Sequence, residues 1–320
     1  MTTFPDTRII NLSSLYGEKK NGSLHSIIDF EFPSLVDHQK DVAYVEVGCV
    51  SAEIPVSFYT INEYNDTIRF LINAVTYNIT LLRGNYNANT LITEIVSKMK
   101  TALGGSSDIT LALNRINGKL EWTNGGGLDD FSLVKSGTTL WYVLGLDDDT
   151  ATYTADAGGG IITPPYPLNL LGTNNVSIRT DNLATYNYNS RQSGFSNTLA
   201  NISVDASPFG ILLYKNTSIT YNILRVLDVN RFRISLLDDN SNPIDFNNGN
   251  WTITLALNIH RHRPTINTRT FSDMLDLKQP DKKEVTKKEE PKKEEKKEEP
   301  PPRPKTLKDL DILTNLRFNN

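Results

Sequence analysis

The chain holds one cysteine, four histidines, three methionines and three tryptophans in 320 residues. A single thiol, Cys49, excludes an intramolecular disulfide, so nothing in the sequence calls for an oxidising compartment. It sits in the apolar run VEVGCVSAEIPV, where a small buried hydrophobe is expected. No apolar stretch approaches the roughly 20 residues that cross a bilayer as a helix. The N-terminal MTTFPDTRIINLSS lacks a charged start followed by an apolar core, so no signal peptide is expected there. Nor is there a strong charge of one sign. A formal net charge of -4 gives no overall pull toward nucleic acid. The Asn-x-Ser/Thr triplets at Asn78, Asn201 and Asn250 are ordinary in a chain this rich in Asn and Thr.

What is present is alternation. Ile28, Phe30 and Phe32 share one side of an extended segment, and Asp29 and Glu31 the other. Phe232, Ile234 and Leu236 alternate with Arg231, Arg233 and Ser235. Trp251, Ile253, Leu255, Leu257 and Ile259 do so with Thr252, Thr254, Ala256 and Asn258. A period of two with one apolar face marks strands half-buried in an antiparallel sandwich. The segment LLDDNSNPIDFNNGNW, rich in Asp, Asn, Pro and Gly, reads as the loop of a hairpin between two of these strands. Asn117-Gly118 between ITLAL and KLEW is the strongest short hairpin signal.

One segment has helical spacing. Leu91, Ile92, Ile95, Val96, Met99 and Leu103 recur at intervals of three and four. Asn87 or Asn89 can cap its start and Gly104-Gly105 its end. With two strands before it and two after, 66–146 reads as a compact α+β insertion. Eight strand candidates remain, near 27–33, 42–56, 169–179, 199–205, 210–215, 219–227, 231–238 and 251–260. Eight strands in about 185 residues fit a two-sheet jelly roll. The expectation is therefore a mainly all-β chain: an N-terminal arm over 1–25, a jelly-roll body over 26–264 carrying the insertion, and a disordered C-terminal tail. Two β-domains split near 160 are the competing arrangement.

Catalytic and metal-binding patterns are sparse. His260 and His262 share a strand face, but Arg261 and Arg263 flank them and no third ligand stands out. Asp147, Asp148 and Asp149, with Asp156 nearby, lack the glycine and ligand spacing of a calcium loop. There is no nucleophile elbow, phosphate loop or dinucleotide fingerprint. No catalytic, cofactor or metal residue is assigned, and the chain is not expected to be an enzyme.

The order of several segments carries a resemblance. KKNGSLHSIIDFEF, VEVGCVSAEIPVSFYTINEYN, LLRGNYNANTLITEIVSKM, LANISVDASPFGILLYKN and FRISLLDDNSNPIDFNNGNWTITLALNI together resemble small jelly-roll capsid components of large DNA viruses, virophages and polinton-like viruses. The resemblance covers roughly residues 20–260. It implies a structural virion protein, a penton or minor capsid component beside a major capsid lattice, with no catalytic residues to carry over. It further implies a homo-oligomer that contacts other capsid proteins, resides in the virion capsid and assembles in the host cytoplasm. A host-attachment or glycan-binding sandwich is the alternative, and a polysaccharide-cleaving enzyme the third.

The tail lies outside that shared pattern. Near residue 278 the composition changes to DKKEVTKKEEPKKEEKKEEPPPRPK. Such a run buries too little apolar surface to fold, so 265–305 reads as a linker. Its proline-interrupted part, about 3.1 Å per residue when extended, reaches roughly 80 Å. Apolar residues return in TLKDLDILTNLRFNN, where Leu307, Leu310, Leu313 and Leu316 recur every three residues, joined by Ile312 and Phe318. Residues 306–320 read as a docking peptide for another capsid protein or a neighbouring copy. Its few, mixed charges argue against a membrane-surface role.

Overall fold

The computed structural model describes residues 6–20, 22–33, 42–105, 108–125, 130–181, 183, 188–189, 194–225 and 229–262. All belong to one compact unit, Met1–Pro264. The chain opens with β1 (Asp6–Ser13), β2 (Glu18–Lys19), β3 (Ile27–Glu31) and β4 (Val42–Pro55). A second group follows: β5 (Thr67–Ile72), β6 (Val75–Thr80), α1 (Ala88–Ala102), β7 (Ile109–Asn114), β8 (Lys119–Asn124), β9 (Phe131–Val134), β10 (Thr152–Ala155) and β11 (Ile161–Ile162). The chain then adds β12 (Asn175–Thr180), β13 (Tyr188–Asn189), β14 (Gly194–Phe195), β15 (Thr198–Ser203), β16 (Ile211–Lys215), β17 (Asn222–Ile223), β18 (Arg231–Leu237) and β19 (Thr252–Arg261).

The body is two antiparallel sheets. One has the order β1-β19-β4-β16, with β17 also on β4, and the other β15-β12-β18-β3-β2. When the eight long body strands are renumbered one to eight along the chain, the sheets read 1-8-3-6 and 5-4-7-2. That order is a jelly roll, in which every connection between successive strands crosses between sheets except that from 4 to 5. The apolar sides face inward onto one core, which includes Ile10, Phe30, Val47, Ile178, Phe232 and Trp251. Trp251 is a central pin. Its indole Nε1 donates to His25 O at 2.7 Å, its backbone N donates to Ser14 Oγ at 3.0 Å, and its ring meets Phe30 edge-on at 6.1 Å.

β4 shows why alternation alone misjudges a long strand. Val45, Val47 and Cys49 are buried, and so are Ala52 and Ile54, so the inward parity changes. Opposite, Thr254 pairs with Ser51 and Leu255 with Cys49, leaving Val50 as the extra residue of a bulge. One inserted residue turns every later side chain to the opposite face. Gly48 lies where the segment after β16 crosses β4: a Cβ there would sit 2.4 Å from Ile219 Cγ2.

Three expectations change. Residues 6–13, assigned to an arm, form strand β1, paired along its whole length with β19 from Asp6↔Ile259 to Ser13↔Thr252. Ile9 faces outward as an exposed apolar residue, which masks the alternation of Ile10 and Leu12. The expected hairpin across LLDDNSNPIDFNNGNW is a crossover, because β18 and β19 lie in different sheets. Its local turn chemistry is real: Ser241, Asn247 and Asn248 all have positive φ. Sequence pattern identifies the turn, but the partner of each strand is a long-range choice. Finally, the second core reaches beyond 66–146. It gathers residues from Ile61 to Ile162, with Leu168 and Leu170 packed against it, because β10 and β11, beyond residue 146, complete its sheets.

That second core sits between two small sheets, β10-β9-β5-β6 and β11-β8-β7, and α1. Asn87 caps α1 by accepting from Thr90 N at 2.9 Å, while Thr90 Oγ1 accepts from Asn87 N at 3.0 Å. Leu91, Ile95 and Met99 are its buried stripe. Gly104 and Gly105, both at positive φ, follow its end. The β7–β8 hairpin forms where Asn117-Gly118 predicts it, with Gly118 N donating to Asn114 O at 2.8 Å. The β5–β6 turn, Asn73-Ala74, has both residues at positive φ, the type I′ geometry of a two-residue hairpin.

Candidate assembly surface

β16 is the outermost strand of its sheet, and among the described residues β4 is its sole strand partner. Its register, Ile211↔Pro55 to Lys215↔Ser51, turns Leu212 into the core and Ile211 and Leu213 outward. Ile211 is 59% exposed and Leu213 68%. An open edge with apolar residues on its outer face is a template for another chain, and soluble proteins usually blunt such edges with charge, proline or bulges.

The turn leading into β16 adds an aromatic to this stripe. Ser207-Pro208-Phe209-Gly210 is closed by Gly210 N donating to Ser207 O at 2.9 Å. Proline second and a positive φ third define a type II turn, whose third position favours Gly or Asn. Here that position is Phe209, at φ 69°. A bulky side chain in the left-handed region is a steric outlier of the kind that gathers at functional sites. The strain is held by the flanking backbone: Phe209 N donates to Val56 O at 2.8 Å, and Val56 N to Gly210 O at 2.9 Å. The ring it holds out is 84% exposed. Core packing does not account for this conformation, because the ring packs in no core. In the sequence the signal is the tetrapeptide SPFG, an aromatic where a turn asks for glycine.

The outer face of the other sheet is built differently. Asp29 points away from the core, yet its side chain is fully buried beneath basic residues. Arg233 Nε and Nη2 donate to its two oxygens at 2.7 and 3.0 Å, Arg231 also donates, and Lys20 lies 3.7 Å away. Arg233 continues to Asp181 at 3.1 Å. The hydrogen bonds from Arg233 lead, against the cost of burial, in holding the Asp29 carboxyl down to about 2.

Cys49, His260, Asp147 and Asp148, weighed for chemistry, make structural contacts. Burial pushes the Cys49 thiol up to about 12, far from a reactive thiolate. His260 stacks on Tyr44 at 4.2 Å and meets Glu46 Oε2 at 3.0 Å. Asp148 accepts from Lys135 and Tyr142, and Asp147 Oδ1 accepts from Thr150 N at 2.8 Å. Among the described residues no three His, Cys, Asp or Glu side chains gather as a metal site requires. No described helix is long and apolar enough to cross a membrane. The predicted docking residues Leu307, Leu310, Ile312, Leu313, Leu316 and Phe318 lie outside the described residues.

No family model and no curated protein matches this chain. Among solved structures it is similar to the mavirus penton protein, with 12% identity and a TM-score of 0.43 over 80% of this chain and 100% of that one. It is also similar to a chain in the structure of the Sputnik virophage, with 10% identity and a TM-score of 0.37 over 80% of this chain and 98% of that one. The jelly-roll assignment itself stands on the strand order of the two sheets.

Proposed function

We propose that this chain is a structural subunit of a virion shell, a penton or minor capsid component. It would assemble with its own copies and with other capsid proteins, in the host cytoplasm, without catalysis and without direct contact to nucleic acid or membrane. The observation that carries the reading is the strained, exposed Phe209 turn feeding the Ile211/Leu213 stripe on an open sheet edge. A rigid sandwich that holds an aromatic ring into solvent against its own backbone preference is suited to packing against a neighbour. The ordered resemblance of residues 20–260 to jelly-roll capsid components supports the identity of that neighbour.

In this reading residues 265–305 are a spacer, and the leucine stripe of 306–320 docks on a second capsid protein. Even weak docking gains from repetition in a symmetric shell. Mass spectrometry and immunogold labelling of purified particles test the role; absence of the chain from particles overturns it. Deleting 306–320 should leave the thermal unfolding of the body unchanged and lower incorporation. Unchanged incorporation would make the peptide dispensable.

A further inference from the structure

Where the body meets the insertion, three clefts run into one another. The first is lined by Tyr142 and Tyr166 and measures about 840 Å³. It shares Tyr142 and Asn169 with a second, of about 350 Å³. The second shares Asn62, Tyr64 and Asp238 with a smaller third. The first two fall within the roughly 300–1,000 Å³ of small-molecule sites.

The lining has a consistent chemistry. Tyr142 and Tyr166 are 61% and 59% exposed, and Tyr64 is 37% exposed, although each carries a large apolar ring. Tyr142 is fixed in place, its hydroxyl donating to Asp148 Oδ2 at 2.6 Å. Between the rings lie amides and hydroxyls, including Asn62, Asn169 and Thr173. Several of the carboxylates already have partners. Asp238 Oδ1 accepts from Asn240 N and Asn242 N, each at 2.7 Å, and Asp239 Oδ2 accepts from Asn174 N at 2.7 Å. Arg83, the one basic side chain among the lining residues, is tied to Glu63 and Asp66.

We infer that this groove binds a neutral oligosaccharide. A pyranose offers flat C–H faces together with hydroxyls that both donate and accept. Exposed, pre-positioned tyrosine rings interleaved with amides match that alternation. The acidic lining repels anionic ligands such as nucleic acid or sulfated glycans. The amides that pair with Asp238 and Asp239 are neutral and leave the charge in place, so a cationic peptide is the competing ligand; it would leave the amides and hydroxyls between the rings unmatched. The inference stands apart from the shell reading, since a sugar-binding groove and an apolar sheet edge occupy different parts of the chain.

Saturation-transfer NMR on the full chain tests it, with neutral hexasaccharides of glucose, galactose, mannose and N-acetylglucosamine as probes at millimolar concentration. At least one should show transfer. The Tyr142→Ala/Tyr166→Ala double variant should weaken its binding at least ~10-fold, while Ile9→Ala, at an exposed position on β1 that lines none of the clefts, leaves it unchanged. Tyr142→Phe keeps the ring and should retain most binding, which separates loss of stacking from loss of fold. Silence from all four sugars, transfer that survives in the double variant, or binding of a hexalysine peptide in their place would each overturn the proposal.

Discussion

The two outer faces of the sandwich solve the same problem in opposite ways. On the β15-β12-β18-β3-β2 side, Asp29, Arg231, Arg233, Lys20 and Asp181 form a network whose charges are met within the chain. On the β1-β19-β4-β16 side, Phe209, Ile211 and Leu213 stand exposed, with Glu53 and Lys215 as their charged neighbours on that face, beside an edge that no strand among the described residues covers. The first face is complete in one chain, whereas the second presents what a partner would bury. Stability and assembly should therefore separate by face.

The largest effect on the stability of the isolated chain is expected at Asp29. Asp29→Ala removes hydrogen bonds to two guanidinium groups and leaves them facing each other. It should cost about 2–3 kcal/mol in urea unfolding, with self-association unchanged. A cost under about 0.5 kcal/mol, the range of an ordinary surface change, would make the network incidental. The same residue sets an acid limit. Its folded value, about 2, lies below the ordinary 3.8 of an unfolded aspartate. Folding therefore favours the ionised form, and this stabilisation is full above 3.8, shrinks as pH falls toward 2 and vanishes below it. The stability gap between the native chain and Asp29→Asn should be flat near neutral pH and close across that acid window. A gap that persists below pH 2 would assign the effect to packing and not to charge.

These faces were unequally legible in the sequence. The alternation of Ile28, Phe30, Phe232, Ile234 and Leu236 assigns inward and outward sides, so Asp29, Arg231 and Arg233 read at once as outer-face residues. Helix α1 was equally plain, because Asn87, the i, i+4 apolar stripe and Gly104-Gly105 all agree. What local pattern does not carry is pairing. The Val50 bulge, the partnership of β1 with β19 and the crossover from β18 to β19 are long-range choices made by the core. β9 and β10 are too short, at four residues each, for alternation to stand out. Of the candidate surface, SPFG reads as a turn, but the strain at Phe209 and the openness of the β16 edge depend on the assembled sheet.

A smaller effect, of opposite sign, is expected at Phe209. Glycine relieves the left-handed strain, and the gain outweighs the greater freedom of glycine in the unfolded chain. Phe209→Gly should make the body about 0.5–1 kcal/mol more stable while weakening assembly. A substitution that stabilises the monomer and harms the assembly is difficult to explain unless the ring serves a contact outside the chain. Equal loss of both would return Phe209 to a purely structural role.

The smallest effect on the monomer is expected at Ile211 and Leu213. Threonine is β-branched and favours strands, and both side chains already face water, so the Ile211→Thr/Leu213→Thr variant should unfold within about 0.5 kcal/mol of the native chain. Its association should fall steeply all the same, because the area these residues would bury on a partner is apolar in the native chain and polar in the variant. Sedimentation velocity over a concentration series reads the self-contact, and incorporation into particles reads contact with other shell proteins. A variant that sediments and incorporates like the native chain would remove the contrast between the faces, leaving the stripe as exposed surface that the edge strand merely tolerates. If incorporation falls while self-association does not, the stripe meets a different capsid protein, and the contacts between copies must lie elsewhere on the body.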